Sequence, residues 1–320
     1  MEYGILIVGL IVLIVGGDFL VRGAVGFSKK LNISPLVIGM TVVAFGTSMP
    51  ELLISLESAM QGDPGIAIGN VVGSNIANIA LVLGITVIIF PMAAGKQTKR
   101  LDYPMLLFAT ALLYIFLLDG FISSLNGLIL FSILIIFLIY IIRTSRKDKE
   151  DDIKNFEEEF KTEPFWKSIV FLLLGFVGLY FGSEWFVDGS VFIADNLLAD
   201  NPNRDSIIGV TVVAFGTSVP ELVTSCTAAL KKQPGLSVGN LIGSNIFNIF
   251  AVIGITSMVE PIKVSQEVIR FDSIWMIGIA LLLMLVIYVG KKIGRLDGSI
   301  LLLTYITYVT VIVLKIEGIL

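Results

Sequence analysis

The chain alternates long apolar runs with short polar segments, and the apolar runs are longer than those of a water-soluble domain. Uninterrupted examples occupy residues 5–16, 105–118 and 127–142. Grouped into stretches of about 20 residues, such runs indicate α-helices that cross a lipid bilayer. The pattern predicts an all-α polytopic membrane protein with ten transmembrane helices, which we place at residues 4–27, 34–60, 65–91, 102–118, 124–142, 165–188, 206–230, 234–258, 270–289 and 298–315.

A single markedly polar segment divides these ten spans into two groups of five. Residues 143–164 carry acidic clusters among several lysines, and we expect a solvated charged loop. The predicted organisation is therefore a first transmembrane repeat over residues 1–142, the charged loop over 143–164, and a second repeat over 165–320. The first residues lack the positive region of a signal peptide, so we expect the first apolar run to stay as a membrane helix.

The basic residues are distributed unevenly between the loops that alternate along the chain. With ten spans, 18 of the 22 lysines and arginines fall in the odd-numbered loops. Because positively charged loops stay in the cytoplasm, we expect both termini outside and the loop 143–164 in the cytoplasm. The predicted localisation is an integral protein of the cell membrane, in contact with the lipid bilayer.

The strongest feature is an internal repeat. Residues 38–86 match residues 208–256 at a constant offset of 170 without a gap, and 29 of the 49 positions are identical. A weaker match aligns GGDFLVRG (16–23) with GSEWFVDG (182–189). Since each half has an odd number of spans, the second copy must enter the membrane from the other side. Two inverted five-helix repeats with a site near the midplane are a transporter architecture.

The identical positions are mostly polar or small, while the apolar positions around them differ. A duplicated packing scaffold would more readily preserve the apolar pattern, so we interpret the repeat as a functional site. The paired glycines Gly69/Gly73 and Gly239/Gly243 are expected to let helix backbones approach closely.

Composition excludes several kinds of chemistry. Hydrophobic residues make up 56% of the chain and charged residues 15%, there is no histidine, and Cys226 is the only cysteine. Histidine-based catalysis, histidine-ligated zinc and a disulfide framework are therefore absent. The net charge of −4, without a basic stripe, gives no footprint for nucleic acid. We expect no enzyme activity, no cofactor and no obligatory protein partner.

Two repeated acidic residues lie inside predicted membrane spans. Glu51 and Glu221 occupy the second and seventh spans, and no lysine or arginine occurs between positions 30 and 96 or between 204 and 231. A charge at that depth costs at least about 2.5–3.5 kcal/mol. Two carboxylates about 6 Å apart at an effective dielectric constant near 20 repel by roughly 3 kcal/mol. Either protonation or a bound cation would relieve this cost.

The neighbouring residues favour a cation. Pro50 and Pro220 follow Gly46 and Gly216 by four positions, and a proline deprives that carbonyl of its helical hydrogen-bond donor. Unwound backbone inside a bilayer is tolerated only where it is buried in protein or lines a cavity. Carbonyls freed in this way are suitable ligands for hard cations.

The same four spans supply further oxygen atoms. Ser48 and Ser218 precede the glutamates, and the third and eighth spans each repeat a serine and an asparagine four positions apart, which share one helix face: Ser74 with Asn78 and Ser244 with Asn248. A ligand set made only of oxygen suits Na⁺, Ca²⁺ or Mg²⁺ and disfavours zinc, copper and iron. A flexible site with many oxygens favours Ca²⁺ over Mg²⁺.

At these residues the sequence resembles the calcium/cation antiporter superfamily, in its sodium/calcium exchanger branch. The motifs are A-x-G-T-S-x-P-E at 44–51 and 214–221, and G-S-N-x-x-N at 73–78 and 243–248. The resemblance implies exchange of Na⁺ for Ca²⁺ by alternating access, with the first and sixth spans sliding as a pair. It implies that Ca²⁺ binds Glu51, Glu221 and the carbonyls of Thr47 and Thr217, and that Na⁺ uses the same glutamates with the carbonyls of Ala44 and Ala214 and the hydroxyls of Ser48, Ser218, Ser74 and Ser244.

One position departs from the pattern of some relatives, which carry an aspartate where this chain has Asn78 or Asn248. We favour a ligand role for both amides. The two glutamates give a central charge of −2, which one Ca²⁺ neutralises, while three Na⁺ would leave +1. This arithmetic predicts voltage-sensitive exchange if the three-for-one ratio of the family holds. It argues against a required K⁺ and leaves occupancy of a middle sodium position open.

Three other functions remain open at this stage. Protons could replace Na⁺ on the glutamates, giving Ca²⁺/H⁺ exchange, or exchange could depend on K⁺. The repeated oxygens could line a cation channel, although inverted repeats within one chain suit alternating access better. An intramembrane hydrolase is disfavoured because Ser48 has no histidine or lysine base within its span.

Overall fold

The computed structural model describes residues 2–62, 64–145, 164–290 and 292–320, and these are almost entirely helical. The first five spans are the helices Glu2–Leu31, the pair Pro35–Thr47 and Met49–Met60, Pro64–Ile76 continued by Ala77–Leu83 and Gly84–Ile89, Thr98–Leu117, and Ser124–Ser145. The next five are Phe165–Leu197, Ser206–Leu230, Pro234–Val259, Val268–Val289 and Arg295–Ile316. Two short strands, Phe121–Ile122 and Ile262–Lys263, pair antiparallel and join the turns after the fourth and eighth spans.

The predicted membrane architecture is confirmed. Within the described ranges, nine helices are long and apolar enough to cross a bilayer. The pair Pro35–Thr47 and Met49–Met60 is bent by 42° and supplies the tenth span if it is counted as one. Of the predicted charged loop 143–164, residues 146–163 lie outside the described residues, so its structure stays a prediction.

The first and sixth helices are longer than their predicted spans. They contain 30 and 33 residues, which corresponds to about 45 and 50 Å at 1.5 Å per residue. The first helix ends only at Asn32, which adopts a left-handed φ of 55°, because no proline or other breaker stops it earlier. Since the hydrocarbon core of a bilayer is about 30 Å thick, these helices must tilt or protrude from it.

Glycines bring the first and sixth helices into backbone contact. A Cβ atom added at Gly9 would lie 3.0 Å from the carbonyl oxygen of Gly182, and one added at Gly16 would lie 2.9 Å from the carbonyl carbon of Gly178. The contact positions rise along one helix as they fall along the other, so the two helices are antiparallel. This is the relation that an inverted arrangement of the two halves requires.

The predicted glycine contacts are present in only one of the two copies. A Cβ at Gly239 would lie 2.2 Å from the carbonyl oxygen of Leu36, and one at Gly243 would lie 2.7 Å from Cα of Met40. At Gly69 and Gly73 an added Cβ would meet nothing within 4 Å among the residues that the structure describes. The prediction is therefore wrong for the first copy in this structure, because the N-terminal half of the seventh span does not pack there as the second span packs on the eighth.

Wide π-helical turns interrupt the core helices at matching places in both halves. They are Gly39–Val43 and Gly209–Val213, Ala77–Leu83 and Asn248–Ile253, and Thr98–Asp102 and Val268–Asp272. Such turns are rare and often occur at functional sites. Four of the six lie in the second, third, seventh and eighth spans, which carry the repeated motifs.

Candidate cation-binding site

Each repeated glutamate sits at the start of a helix that resumes after an interruption. The break falls at Ser48 and Ser218, and the helices Met49–Met60 and Val219–Leu230 begin directly afterwards. Pro50 and Pro220 fit this first turn, because a proline needs no amide partner there. The positive end of the helix dipole favours an anionic side chain at this place.

Both glutamates are fully buried. Glu51 and Glu221 are each 0% exposed, and their carboxylates lie close enough to repel one another. None of their four carboxylate oxygens has a hydrogen-bond partner within the described part of the chain, and none forms an ion pair there. The burial of both acids agrees with the sequence, and no basic residue neutralises them within the described ranges.

Hydroxyl groups from both halves surround this pair. The side chains of Thr47, Ser48 and Ser244 lie beside the Glu221 carboxylate, although none is placed to hydrogen-bond to it. The Thr47 and Ser244 hydroxyls are 3.2 Å apart. Residues from the second and eighth spans therefore meet at the glutamate of the seventh, so the site belongs to both repeats.

The polar atoms without partners concentrate at the predicted site. Among the described residues, the hydroxyls of Ser48 and Ser218 and both side-chain polar atoms of Asn78 and of Asn248 have no hydrogen-bond partner, and these side chains are at most 3% exposed. A buried polar group left unpaired costs about 1–3 kcal/mol. Several such groups around two bare carboxylates are best explained by a ligand that they bind together.

The structure brings the twelve predicted site residues into the four core spans that carry the motifs. Eleven of them are buried, and Ala214 is half-buried. The buried ones are Ala44, Thr47, Ser48, Glu51, Ser74, Asn78, Thr217, Ser218, Glu221, Ser244 and Asn248. This set contains many oxygen atoms but only two carboxylates, so the charge of the site is small. In the described ranges no group of three or more acidic, histidine or cysteine side chains gathers that could hold a metal ion.

Some backbone carbonyls near the two prolines accept hydrogen bonds from side chains of the protein. The carbonyl of Gly216, which Pro220 deprives of its helical donor, accepts a hydrogen bond of 3.0 Å from the Ser183 hydroxyl of the sixth span. The carbonyls of Ala44 and Ala214 accept hydrogen bonds from the Thr47 and Thr217 hydroxyls at 3.4 and 3.2 Å. The Ser183 hydroxyl therefore replaces the helical donor that the Gly216 carbonyl lost, and because a carbonyl oxygen has two lone pairs, its use as a cation ligand stays a prediction.

Two asparagines that the sequence reasoning missed brace the site. Asn70 donates to the carbonyl oxygen of Glu51 and to the Ser55 hydroxyl, both at 3.1 Å. Asn240 donates to the Ser225 hydroxyl at 3.0 Å and accepts from the Thr47 hydroxyl at 3.2 Å. Asn70 and Ser55 correspond to Asn240 and Ser225 at the offset of 170, so the repeat in the sequence contained the signal that identifies them.

A family model described as "Sodium/calcium exchanger protein" matches residues 1–143 and 167–314 of the chain. The putative antiporter CaxA of Alkalimonas amylolytica is 37% identical over 308 residues, covering 94% of this chain and 95% of that protein. The sodium/calcium exchanger MaX1 of Methanosarcina acetivorans is 33% identical over 344 residues, covering 96% of this chain and 97% of the relative.

Solved structures of the sodium-calcium exchanger NCX_Mj have the same fold. A structure soaked with Na⁺ and Ca²⁺ superposes with a TM-score of 0.82 at 34% identity, and the match covers 97% of each chain. A structure soaked with neither ion superposes with a TM-score of 0.83 at 34% identity, covering 97% of this chain and 98% of the other.

Proposed function

The chain belongs to the sodium/calcium exchanger family, and from that premise we propose that it exchanges Na⁺ for Ca²⁺ across a membrane by alternating access. As a member of this family it is an integral membrane antiporter of cations and not an enzyme. The observation that carries the proposal is the pair of fully buried carboxylates without a counter-charge in the described chain. A transported cation supplies that charge.

In the proposed site, Ca²⁺ lies between Glu51 and Glu221 and takes further oxygens from the carbonyls of Thr47 and Thr217. Na⁺ uses the same glutamates, with the carbonyls of Ala44 and Ala214 and the hydroxyls of Ser48, Ser74, Ser218 and Ser244. The amides of Asn78 and Asn248 complete the oxygen cage. The clustering of unpartnered oxygens at Ser48, Ser218, Asn78 and Asn248 supports this assignment.

Coupling follows from shared ligands. Because both ions need Glu51 and Glu221, each excludes the other from the centre. A bound cation neutralises the buried charge, so the loaded core can pass between states that face opposite sides of the membrane. The empty core keeps two bare carboxylates in a low-dielectric interior, which makes its passage costly.

The orientation is part of the proposal. The excess of lysine and arginine in the odd-numbered loops supports a protein of the cell membrane with both termini outside and the loop 143–164 in the cytoplasm. A cysteine introduced within residues 146–163 should therefore not react with a membrane-impermeant thiol reagent in intact cells, and it should react once the membrane is permeabilised. Labelling of this loop in sealed cells would reverse the orientation.

Flux measurements distinguish the candidate couplings. Purified protein in liposomes should take up radiolabelled Ca²⁺ when an outward Na⁺ gradient is imposed at fixed pH, and a K⁺ gradient alone should have no effect. Uptake driven by a proton gradient without Na⁺ would identify a Ca²⁺/H⁺ exchanger instead. Single-channel currents in a planar bilayer would indicate a channel. A double variant, Glu51→Gln with Glu221→Gln, serves as the inactive control.

A further inference from the structure

Positions related by the repeat have unequal surroundings in this structure. Ile54 is 37% exposed, whereas Thr224, its counterpart at the offset of 170, is 0% exposed. Gly69 has no neighbour within 4 Å of an added Cβ in the described part of the chain, whereas Gly239 is in backbone contact with Leu36. Under alternating access, the carrier also adopts a second arrangement in which the two halves exchange these surroundings. That relation is what alternating access requires, so the inference below rests on the proposed function.

An ion pair joins the first span to the end of the seventh. The Asp18 carboxylate forms a salt bridge with the Lys231 ammonium, and a second one with the Arg22 guanidinium at 2.7 Å. The Asp18 and Lys231 side chains are 31% and 22% exposed, so solvent screens them only in part. Lys231 directly follows the helix Val219–Leu230, where a positive charge also interacts favourably with the helix dipole.

A hydrogen bond joins the sixth span to the seventh span on the other side of its break at Ser218. The Ser183 hydroxyl is buried and donates to the Gly216 carbonyl at 3.0 Å. Gly216 lies between Ala214 and Thr217, whose carbonyls are proposed cation ligands. Both members of the first and sixth pair are therefore attached to the seventh span, one beside the site and one at the helix end.

The repeat provides no equivalent attachment for the exchanged arrangement. Lys231 corresponds to Gln61 at the offset of 170, and Asp18 corresponds to Glu184 in the aligned segments 16–23 and 182–189. In the exchanged arrangement Glu184 would meet Gln61, an amide that already donates to Glu57 at 3.0 Å. No ion pair can form between Glu184 and Gln61.

The hydrogen bond is one-sided as well. Ser183 corresponds to Gly17, and Gly216 corresponds to Gly46. In the exchanged arrangement Gly17 would face the Gly46 carbonyl without a hydroxyl to offer. Arg22 likewise corresponds to Asp188, so the sixth helix has an acid four residues after Glu184 where the first helix has a base four residues after Asp18.

We propose that Lys231 and Ser183 are positioning residues that hold the first and sixth spans against the seventh, so that the carrier favours the arrangement described here over the exchanged one. The two orientations of the carrier are then unequally populated although the cation site itself is nearly symmetric. Ion binding has to release these two contacts before the core can face the other side.

The test replaces each residue by its own repeat counterpart and measures which face is open. Two reporter variants carry a single cysteine each, Ile54→Cys or Thr224→Cys, in a chain with Cys226→Ser. The rate at which each cysteine reacts with a water-soluble maleimide, in detergent without Na⁺ or Ca²⁺, reports how open its face is. In the parent protein Ile54→Cys should react faster than Thr224→Cys. Lys231→Gln and Ser183→Gly should each raise the Thr224→Cys rate by about two- to fivefold, as expected for losing one such contact, and lower the Ile54→Cys rate.

Matched variants separate this effect from loss of charge or of fold. Lys263→Gln removes one positive charge at the other end of the eighth span from Lys231 and should change neither rate, while Lys231→Arg should preserve the parent rates. Lys231→Gln combined with Gln61→Lys moves the ion pair to the exchanged arrangement and should reverse the preference between the two cysteines. Thermal unfolding confirms that each variant is folded.

Unchanged rates in Lys231→Gln, Ser183→Gly and the charge swap would overturn the proposal. If one of these variants does not fold, the other two decide the outcome. Because labelling requires no transport, a failure here leaves Na⁺/Ca²⁺ exchange untouched. A protein whose labelling shifts as expected but whose Ca²⁺ flux ignores Na⁺ would refute the proposed function and leave the positioning role intact.

Discussion

Glu221→Gln tests the central physical argument, because it removes one of the two buried charges with almost no change in volume. Glu221 is 0% exposed, and its oxygens have no hydrogen-bond partner in the described chain. The amide therefore leaves intact every side-chain hydrogen bond found there, while the charge of the site falls from −2 to −1. One Na⁺ still neutralises such a site, whereas one Ca²⁺ leaves it at +1.

The magnitude follows from the cost of that uncompensated charge. A single charge at the centre of a membrane helix costs at least about 2.5–3.5 kcal/mol. At 1.4 kcal/mol per tenfold change in affinity, Ca²⁺ binding should weaken by roughly 60- to 300-fold. At a Ca²⁺ concentration 100 times the parent dissociation constant, the stabilisation by Ca²⁺ should fall from about 2.7 kcal/mol to about 0.4 kcal/mol for a 100-fold loss of affinity.

The assay is thermal unfolding of the purified protein in detergent with and without Ca²⁺, followed by Na⁺-driven Ca²⁺ uptake in liposomes. Without ions, the variant should unfold at a higher temperature than the parent, because the repulsion between the two carboxylates is gone. With Ca²⁺, the shift in unfolding temperature should largely disappear and uptake should stop. Glu57→Gln is the matched control, since Glu57 is exposed on the second span and bonded to Gln61.

A variant that retains the parent's Ca²⁺-induced stabilisation and exchange rate would refute the reasoning. It would mean that Glu221 neither ligates the ion nor needs its charge neutralised. An unchanged ion-free unfolding temperature together with lost uptake would place the carboxylates too far apart to repel.

Three further changes test the surroundings of the site. Asn248→Asp brings the central charge to −3, so Ca²⁺ should still bind while the dependence of uptake on Na⁺ and on pH changes; identical ion dependence would count against a ligand role. Asn240→Ala removes the bonds to Thr47 and Ser225 and should weaken Ca²⁺ binding about 5- to 30-fold at 1–2 kcal/mol, which calorimetric titration would measure. Gly182→Leu should lower the unfolding temperature, because a Cβ added at Gly182 would lie 2.7 Å from the Leu13 amide nitrogen. Gly278→Leu is the control and should leave the unfolding temperature unchanged, because a Cβ added at Gly278 would meet no described residue within 4 Å.

The sequence predicted the helical membrane fold and the buried acid pair because both depend on the local chemistry of the chain. A run of about 20 apolar residues has few alternatives to a membrane helix. Glu51 and Glu221 stand out because each is an ionisable residue in such a run, repeated with its neighbours. Their burial and their lack of basic partners in the described chain agree with that prediction.

The sequence could not predict features that depend on how helices meet. The Ser183 hydroxyl bonds to the Gly216 carbonyl only because the sixth span crosses the seventh at that point. Gly69 and Gly239 are identical in the repeat, yet among the described residues only Gly239 is packed against backbone. A repeat in the sequence describes two equal halves, whereas one conformation of a carrier must treat them unequally.

The backbone contact between the first and sixth helices also affects how the molecule is made. Gly9, Gly16 and Gly23 of Glu2–Leu31 lie against backbone atoms of Phe165–Leu197, and 133 residues separate the two helices. At 5–20 residues per second, the ribosome needs roughly 7–27 s to synthesise that interval. During this time the first helix is in the membrane without the sixth helix. The two helices can therefore pack together only after the second half of the chain has been synthesised and inserted.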